Sequence, residues 1–210
     1  MLRYQRDPAE IYRQSFATVR DEARLDHLPD DLRDTAIRLV HACGMPDITA
    51  RLAWSADLSV SARAALARGA PILCDCEAVA SMIVRARLPR ENPVICTLNA
   101  PETRAIAERI GNTRSAAAVT LWESSIDGAI IAIGNAPTAL FHLMELIDQG
   151  FLKPAAILGF PVGFVGAAES KAELAANPRA PFMTLRGRRG GSAMAAAAVN
   201  GLAAGLETPQ

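Results

Sequence analysis

The feature that most restricts the fold of this chain is an alternation that starts at residue 70. Five short, mainly apolar runs, each continuous rather than alternating between apolar and polar residues, are separated by longer amphipathic segments. The runs cover residues 71–75, 93–98, 129–134, 155–160 and 181–186. Strands buried on both faces have this unbroken apolar character, and parallel neighbours need crossover connections between them. The pattern therefore predicts a five-stranded parallel sheet in a three-layer α/β/α fold.

The segments between these runs predict the covering helices. They lie near residues 77–88, 101–124, 137–149 and 166–177, and a last helix is expected at about 192–204. The stretch 101–124 contains Gly111-Asn112, a pair that favours a helix end. We therefore expect two helices, or one broken helix, in that stretch.

The beginning of the chain has helical periodicity instead. Asp7, Pro8 and Glu10 together form a typical helix start, with a capping residue, a proline in the first turn and an acid three residues on. A second helix is predicted from about Asp30 to the glycine at Gly44, and a third near residues 59–68.

The domain organisation follows from the absence of any internal boundary. No repeat or low-complexity linker separates the helical start from the alternating part. We predict one α/β domain over residues 1–210, in which a helical segment of residues 1–69 packs on a parallel-sheet core of residues 70–206.

Charge and hydropathy exclude several classes of function. The chain has 22 Lys and Arg against 22 Asp and Glu, so it lacks the basic excess typical of proteins that bind nucleic acid or anionic membranes. Its most apolar stretches, residues 129–144 and 154–168, are interrupted by polar residues and prolines and are shorter than a membrane span. The start lacks the apolar core of a signal peptide, so a cytoplasmic location is expected.

The four cysteines do not form a recognisable metal motif. Cys74 and Cys76 are separated by a single residue, which is not the CxxC spacing, and neither Cys43 nor Cys96 brings a second ligand at zinc-finger spacing. We interpret all four as reduced, buried small residues and predict no metal site.

Glycine-rich loops follow the last two apolar runs, at residues 159–166 and 187–192. In open α/β sheets, ligands bind beyond the carboxyl ends of the strands, and backbone N–H groups at a helix start can hold an anion. The glycines can equally serve only to turn the chain from strand to helix. Neither loop matches a dinucleotide or P-loop spacing, and no nucleophile elbow of the α/β-hydrolase type is present.

His41 is the most chemically suggestive residue of the helical start. It lies three residues before Gly44, in the predicted last turn of the second helix. The carbonyl end of a helix favours a cationic imidazole, so His41 is either a capping histidine or a group that exchanges protons with a ligand. Spacing alone leaves both interpretations open.

Several motifs taken together are far more specific than any one of them. They are residues 11–16 (Ile-Tyr-Arg-Gln-Ser-Phe), 40–44 (Val-His-Ala-Cys-Gly), 111–116 (Gly-Asn-Thr-Arg-Ser-Ala), 133–140 (Ile-Gly-Asn-Ala-Pro-Thr-Ala-Leu), 161–171 (Pro-Val-Gly-Phe-Val-Gly-Ala-Ala-Glu-Ser-Lys) and 186–194 (Arg-Gly-Arg-Arg-Gly-Gly-Ser-Ala-Met). In this order the motifs resemble the precorrin-8X methylmutases, or precorrin isomerases, of cobalamin biosynthesis. Gly44-Met45 resembles the branch of that family from the aerobic, cobalt-free route.

The resemblance implies a reaction without a cofactor. A methyl group on ring C of a ring-contracted tetrapyrrole, precorrin-8X, moves to the adjacent ring carbon and gives hydrogenobyrinate. It further implies a flavodoxin-like fold, a homodimer with sites near the interface, His41 as the acid/base residue, and Ser15 and Arg114 as residues that bind the tetrapyrrole. Apolar side chains nearly encircle the helix after Pro137, which independently favours a dimer.

Two other functions remain open at this point. A carrier protein could bind the tetrapyrrole without converting it, because a pocket of arginines and helix starts would also serve storage. An enzyme that depends on a metal or a thiol could use Cys74, Cys76 and Cys96.

Overall fold

The computed structural model describes residues 2–206 and has a six-stranded sheet at its centre. The strands are β1 (Leu52–Trp54), β2 (Ile72–Cys74), β3 (Val94–Cys96), β4 (Ile130–Ile133), β5 (Ala156–Gly159) and β6 (Phe182–Leu185). Their order across the sheet is β1-β6-β5-β4-β2-β3. Strands β2 to β6 pair in parallel, whereas β1 is antiparallel to β6.

The five predicted parallel strands are confirmed, but the predicted strand count is wrong. The sixth strand, β1, lies inside residues 1–69, which were expected to be helical throughout. It has three residues and pairs along β6, with Leu52 opposite Leu185 and Trp54 opposite Met183. Three residues are too few to show the hydrophobic periodicity of a strand in the sequence. Leu52–Trp54 form a strand only because they pair with β6. The single-domain interpretation stays a prediction, and its limits at 1 and 210 lie outside the described residues.

The helices begin and end close to their predicted positions. They are α1 (Pro8–Glu22), α2 (Asp30–Cys43), α3 (Leu58–Ala67), α4 (Glu77–Met82), α5 (Thr103–Ile110), α6 (Arg114–Thr120), α7 (Pro137–Asp148), α8 (Ala167–Ala176) and α9 (Ser192–Ala203), with 3₁₀ helices at Pro46–Arg51 and Arg85–Arg87. Asp7 caps α1 by accepting a 2.9 Å hydrogen bond from the N–H of Ala9. Gly44 and Gly111 end α2 and α5 in the left-handed conformation that favours glycine. None of these helices is long and apolar enough to cross a bilayer.

Successive residues of the central strands pack on opposite sides of the sheet. In β4, Ile130 and Ala132 face the cluster that contains α2 and α9, while Ile131 and Ile133 face the cluster around α7. Helix α9 lies very close to α2, because a Cβ at Gly201 would come within 2.8 Å of the Cα of Thr35. This close approach sets α2, and the His41 side chain near its end, against the first turns of α9.

The order of the parallel strands identifies the winding of the sheet. Counted along the chain, the five parallel strands have the order 2-1-3-4-5 of the flavodoxin-like doubly wound fold. The winding reverses between β2 and β4, so the switch point lies beyond Cys74 and Ile133. The predicted fold class is confirmed.

Candidate active site

His41 is brought together with Ser15 by the packing of α1 on α2. The Nδ1 atom of His41 lies 2.8 Å from the Oγ atom of Ser15, although the two residues are 26 positions apart. Because Nδ1 has this partner, Nε2 is the nitrogen left for a ligand. A serine hydroxyl can either donate to Nδ1 or accept from it, so it can support either tautomer of the ring.

The side-chain environment of His41 differs from that of a capping histidine. The carbonyl end of α2 is closed by Gly44, whose N–H donates to the carbonyl oxygen of Val40. The His41 ring lies against aromatic rings instead, with its centroid 5.0 Å from that of Phe16, and Tyr12 stacks on Phe16 at 4.2 Å. These contacts and the Ser15 bond hold the imidazole in one orientation.

A cavity of about 290 Å³ opens beside His41. It is lined by Tyr12, Phe16, Arg38, His41, Ala42, Met82, Arg87, Ala193, Ala196, Ala197 and Asn200. The alanines of α9 supply an apolar wall of small side chains, and the aromatic rings of α1 and the Met82 side chain add further apolar surface. Such a cavity suits a flat, largely apolar ring system that carries polar groups at its edge.

Asn200 fixes the chain segment that follows α4 on one side of this cavity. Its Oδ1 accepts a 2.9 Å hydrogen bond from the N–H of Val84, and its Nδ2 donates to the carbonyl oxygen of Met82 at 3.1 Å. One side chain therefore ties the end of α4 to α9. The 3₁₀ helix that carries Arg87 follows directly in the chain.

Arg114 lies in a different cavity. It is the first residue of α6, and its Nη2 donates to the carbonyl oxygen of Leu98 at 3.1 Å and to Oδ1 of Asn99 at 2.8 Å. This second cavity, of about 580 Å³, shares no lining residue with the cavity beside His41. Within one chain the fold thus brings Ser15 and His41 together but does not add Arg114 to them.

A buried carboxylate organises the switch point of the sheet. The two oxygens of Asp75, which is fully buried after β2, accept hydrogen bonds of 2.8–2.9 Å from the N–H groups of Gly134, Asn135 and Ala136. Burial raises the pKa of the Asp75 carboxyl, and the three N–H donors oppose this rise. Asp75 therefore fixes the turn between β4 and α7.

The turn between β4 and α7 also contacts the start of α9. A Cβ at Gly134 would come within 2.6 Å of the Cα of Ser192, so the two backbones touch. Asp75 thus helps to position the helix whose alanines form the wall of the cavity.

Gly190, in the loop after β6, is needed for a close backbone approach. A Cβ at Gly190 would overlap the carbonyl oxygen of Phe160, and the N–H of Gly191 donates to that same oxygen. The missing side chain of Gly190 therefore lets the loops after β5 and β6 meet, whereas Gly191 has open space around it and is favoured by its positive φ of 129°.

Two charged side chains hold the loop after β6 from either side. The buried Lys171 of α8 donates to the carbonyl oxygen of Arg189, and burial lowers the pKa of Lys171 to about 8. The guanidinium of Arg189 pairs with Asp47, which follows α2. The loop that starts α9 is therefore tied to the chain just beyond His41.

The four cysteines are free thiols. Cys74 and Cys76 are buried, and Cys43 and Cys96 are partly buried. Burial raises the pKa of Cys74 strongly and that of Cys96 to about 11. Among residues 2–206, no three His, Cys, Asp or Glu side chains come together in a group able to hold a metal ion.

Sequence reasoning missed several residues of the cavity. Tyr12, Arg38, Arg87 and Asn200 were given no individual role. Tyr12 and Arg38 had a usable signal, because they precede Ser15 and His41 by three residues and such residues lie on the same helix face. Arg87 and Asn200 reach the cavity through tertiary packing alone.

The whole chain is similar to proteins of one kind. A family model described as CbiC, precorrin-8X methylmutase, matches residues 10–204. The precorrin-8X methylmutase of Pseudomonas aeruginosa is 57% identical over 204 residues, which cover 97% of this chain and 98% of that protein. The precorrin-8X methylmutase of a Sinorhizobium species is 58% identical over 201 residues, or 95% and 96% of the two chains. A solved structure titled as the precorrin-8X methylmutase of Thermus thermophilus superposes with a TM-score of 0.85 at 33% identity, covering 96% of this chain and 100% of that one.

Proposed function

This chain belongs to the precorrin-8X methylmutase family, and we propose that His41 is the residue that assists the methyl shift as acid or base. The protein is accordingly an isomerase of cobalamin biosynthesis that acts on precorrin-8X. The observation that carries the role of His41 is its contact with Ser15, which leaves Nε2 available beside a cavity with an apolar wall of alanines.

The proposed reaction moves a methyl group from one carbon of ring C to the next. One carbon–carbon bond breaks and another forms in the same molecule, so the product is an isomer and no electrons are gained or lost overall. The shift requires the macrocycle to be held in one tautomer and the developing charge on the ring C nitrogen to be stabilised. Nε2 of His41 can donate a proton or a hydrogen bond to that nitrogen, while Ser15 supports the tautomer at Nδ1.

The test of this function is conversion of precorrin-8X by the purified protein. We expect the absorption spectrum to change to that of the orange-pink product, hydrogenobyrinate. A carrier protein would bind precorrin-8X without this change, so an unchanged spectrum of the bound compound would favour the carrier.

Arg114 is proposed to bind a carboxylate of the tetrapyrrole. Its guanidinium lies in an open cavity, where it is held by Leu98 and Asn99 but has no carboxylate partner within residues 2–206. Replacement by lysine removes the fork of donors and keeps the charge, so we expect Arg114→Lys to weaken binding and Arg114→Ala to weaken it further, by up to roughly 1.5–3 kcal/mol. Titration with hydrogenobyrinate measures both, and parental affinity in both variants would show that Arg114 is only a surface residue.

A homodimer is proposed from the family resemblance rather than from the helix after Pro137. Leu143, Met144 and Ile147 of α7 are buried within their own chain, so its apolar surface has an intramolecular explanation. The support within the structure is the loop before α8, where Phe164 and Val165 are 86% and 88% exposed. Light scattering should give twice the 22.3 kDa of one chain at micromolar concentration, and the monomer mass would contradict the proposal.

We also propose a cobalt-free substrate and a cytoplasmic location. Two relatives above 50% identity carry the name precorrin-8X methylmutase, without cobalt. Four free cysteines suit a reducing compartment.

A further inference from the structure

The cavity beside His41 has a positive lining. Its lining residues include Arg38 and Arg87 but no aspartate or glutamate. Within residues 2–206 neither guanidinium forms an ion pair with a carboxylate, whereas Arg33, five residues earlier on α2, pairs with Asp30 at 2.8 Å. The cavity therefore presents two cationic groups whose charge is not balanced within the cavity itself.

Within the described residues, one nitrogen of the Arg38 guanidinium has a hydrogen-bond partner and the other two have none. Its Nη1 donates to the hydroxyl of Tyr12 at 3.1 Å, and its guanidinium lies 5.6 Å from the centroid of the Phe16 ring. Its Nε is buried and has no hydrogen-bond partner within the described residues, and the same is true of Nε of Arg33, so this atom does not distinguish Arg38. Nη2 of Arg38 also has no hydrogen-bond partner within the described residues but is not buried, so it is the donor that an anion in the cavity could reach. Hydrogen bonds from a guanidinium to a carboxylate are among the strong ones, because both groups are charged.

Arg87 reaches the same cavity from another part of the chain. It ends the 3₁₀ helix Arg85–Arg87, and its guanidinium makes no hydrogen bond within residues 2–206. The segment before it is fixed to α9 by the two hydrogen bonds of Asn200. Arg87 thus has an anchored backbone and a free charged end.

Because Arg38 lies close to His41, an anion bound by Arg38 would also affect the reaction. The two residues are three apart on α2, so their side chains project from the same face with Cβ atoms about 5–6 Å apart. A carboxylate held by Arg38 would therefore place the attached ring at a defined distance from Nε2 of His41.

We propose that Arg38 and Arg87 form one anion subsite that binds a single peripheral carboxylate of the tetrapyrrole and thereby determines which pyrrole ring faces His41. This inference rests on the proposed function, because it takes the ligand to be a tetrapyrrole with several carboxylate side chains. Arg38 and Arg87 bind and position the substrate, and the proton at the reacting ring remains the task of His41.

The experiment is a titration with hydrogenobyrinate, followed by its visible absorption, of the wild type and of Arg38→Gln, Arg87→Gln and the double variant. We expect each single change to weaken binding about tenfold or more, as for loss of a hydrogen bond between charged groups. Arg33→Gln is the matched control, since it removes an arginine of the same helix that lies outside this cavity, and it should bind like the wild type.

Three further readouts separate one shared subsite from general charge or structural effects. Because both arginines would hold the same carboxylate, the double variant should lose less affinity than the product of the two single losses. The same product with its carboxylates methylated should bind the wild type and both variants alike. At saturating precorrin-8X, Arg38→Gln should also have a lower kcat, because the ring is no longer held in position.

The outcomes distinguish this inference from the proposed function. If the wild type converts precorrin-8X but Arg38→Gln and Arg87→Gln bind product with unchanged affinity, the subsite is refuted and the function stands. If the methylated product shows the same losses, the arginines act structurally and the subsite is also refuted. Arg87→Gln removes no hydrogen bond between the residues that the structure describes, so this variant remains informative should Arg38→Gln fail to fold. Failure of the wild type to convert precorrin-8X would refute the function itself.

Discussion

His41→Ala should abolish most of the turnover and leave binding nearly intact. If Nε2 assists the ring nitrogen mainly in the transition state, its removal lowers kcat far more than affinity. General acid/base assistance is typically worth roughly 10²–10⁴ in rate, so we expect a loss of that size in kcat. One preparation suffices for the measurement, because the variant can be titrated with hydrogenobyrinate and then assayed with precorrin-8X.

The capping interpretation of His41 makes a different prediction for the same variant. Loss of a favourable charge at the end of α2 would lower the free energy of unfolding by roughly 0.3–1 kcal/mol and leave turnover per folded molecule unchanged. His27→Ala is the control, since His27 contacts the carbonyl oxygen of Thr49 and lies outside the cavity. Parental turnover in His41→Ala would show that the catalytic assignment is wrong.

Asp75→Ala should cause a large loss of stability. The change leaves the N–H groups of Gly134, Asn135 and Ala136 without the carboxylate that accepts all three hydrogen bonds. An unsatisfied buried donor costs about 1–3 kcal/mol, so we expect the free energy of unfolding to fall by about 3 kcal/mol or more. Urea denaturation followed by circular dichroism measures this difference.

Two further variants test the reason for this loss. Asp75→Asn keeps one acceptor oxygen and should have an intermediate stability. Asp57→Ala is the matched control, because the side chain of Asp57 precedes α3 without bonding to its N–H groups, and its removal should change stability by less than about 0.5 kcal/mol. Equal stability of Asp75→Ala and the parent would mean that water replaces the carboxylate at the turn.

The parts of the fold that could be predicted are those fixed by local pattern. The five parallel strands are continuous apolar runs because both of their faces are covered, and that requirement is visible in each run separately. The ends of α2 and α5 could be placed because Gly44 and Gly111 adopt positive φ angles that other residues avoid. Strand β1 could not be predicted, since its three residues are a strand only because β6 is available to pair with them.

The residues of the candidate site also differ in how far the sequence could predict them. His41 was singled out from its place in the second helix, its acid/base role and Ser15 were named from a sequence resemblance, and the structure places the two side chains 2.8 Å apart. Arg114 was named on the same ground, but within one chain it lies in another cavity. In the sequence, Asp75 was visible only as a polar residue at the end of an apolar run. The three N–H groups that donate to its carboxylate belong to residues about 60 positions later, so the sequence did not show its role.

The sequence by itself determined the α/β class, the helix ends and the family of this protein, because periodicity, capping and motif order are properties of neighbouring residues. The tertiary structure alone decided the strand order, the antiparallel edge and the grouping of Arg38 with Arg87 and Asn200 around His41. These depend on contacts between residues that are far apart in the chain. Such contacts form only when the apolar faces of several helices are buried against the same sheet, so no single segment carries the information that fixes them.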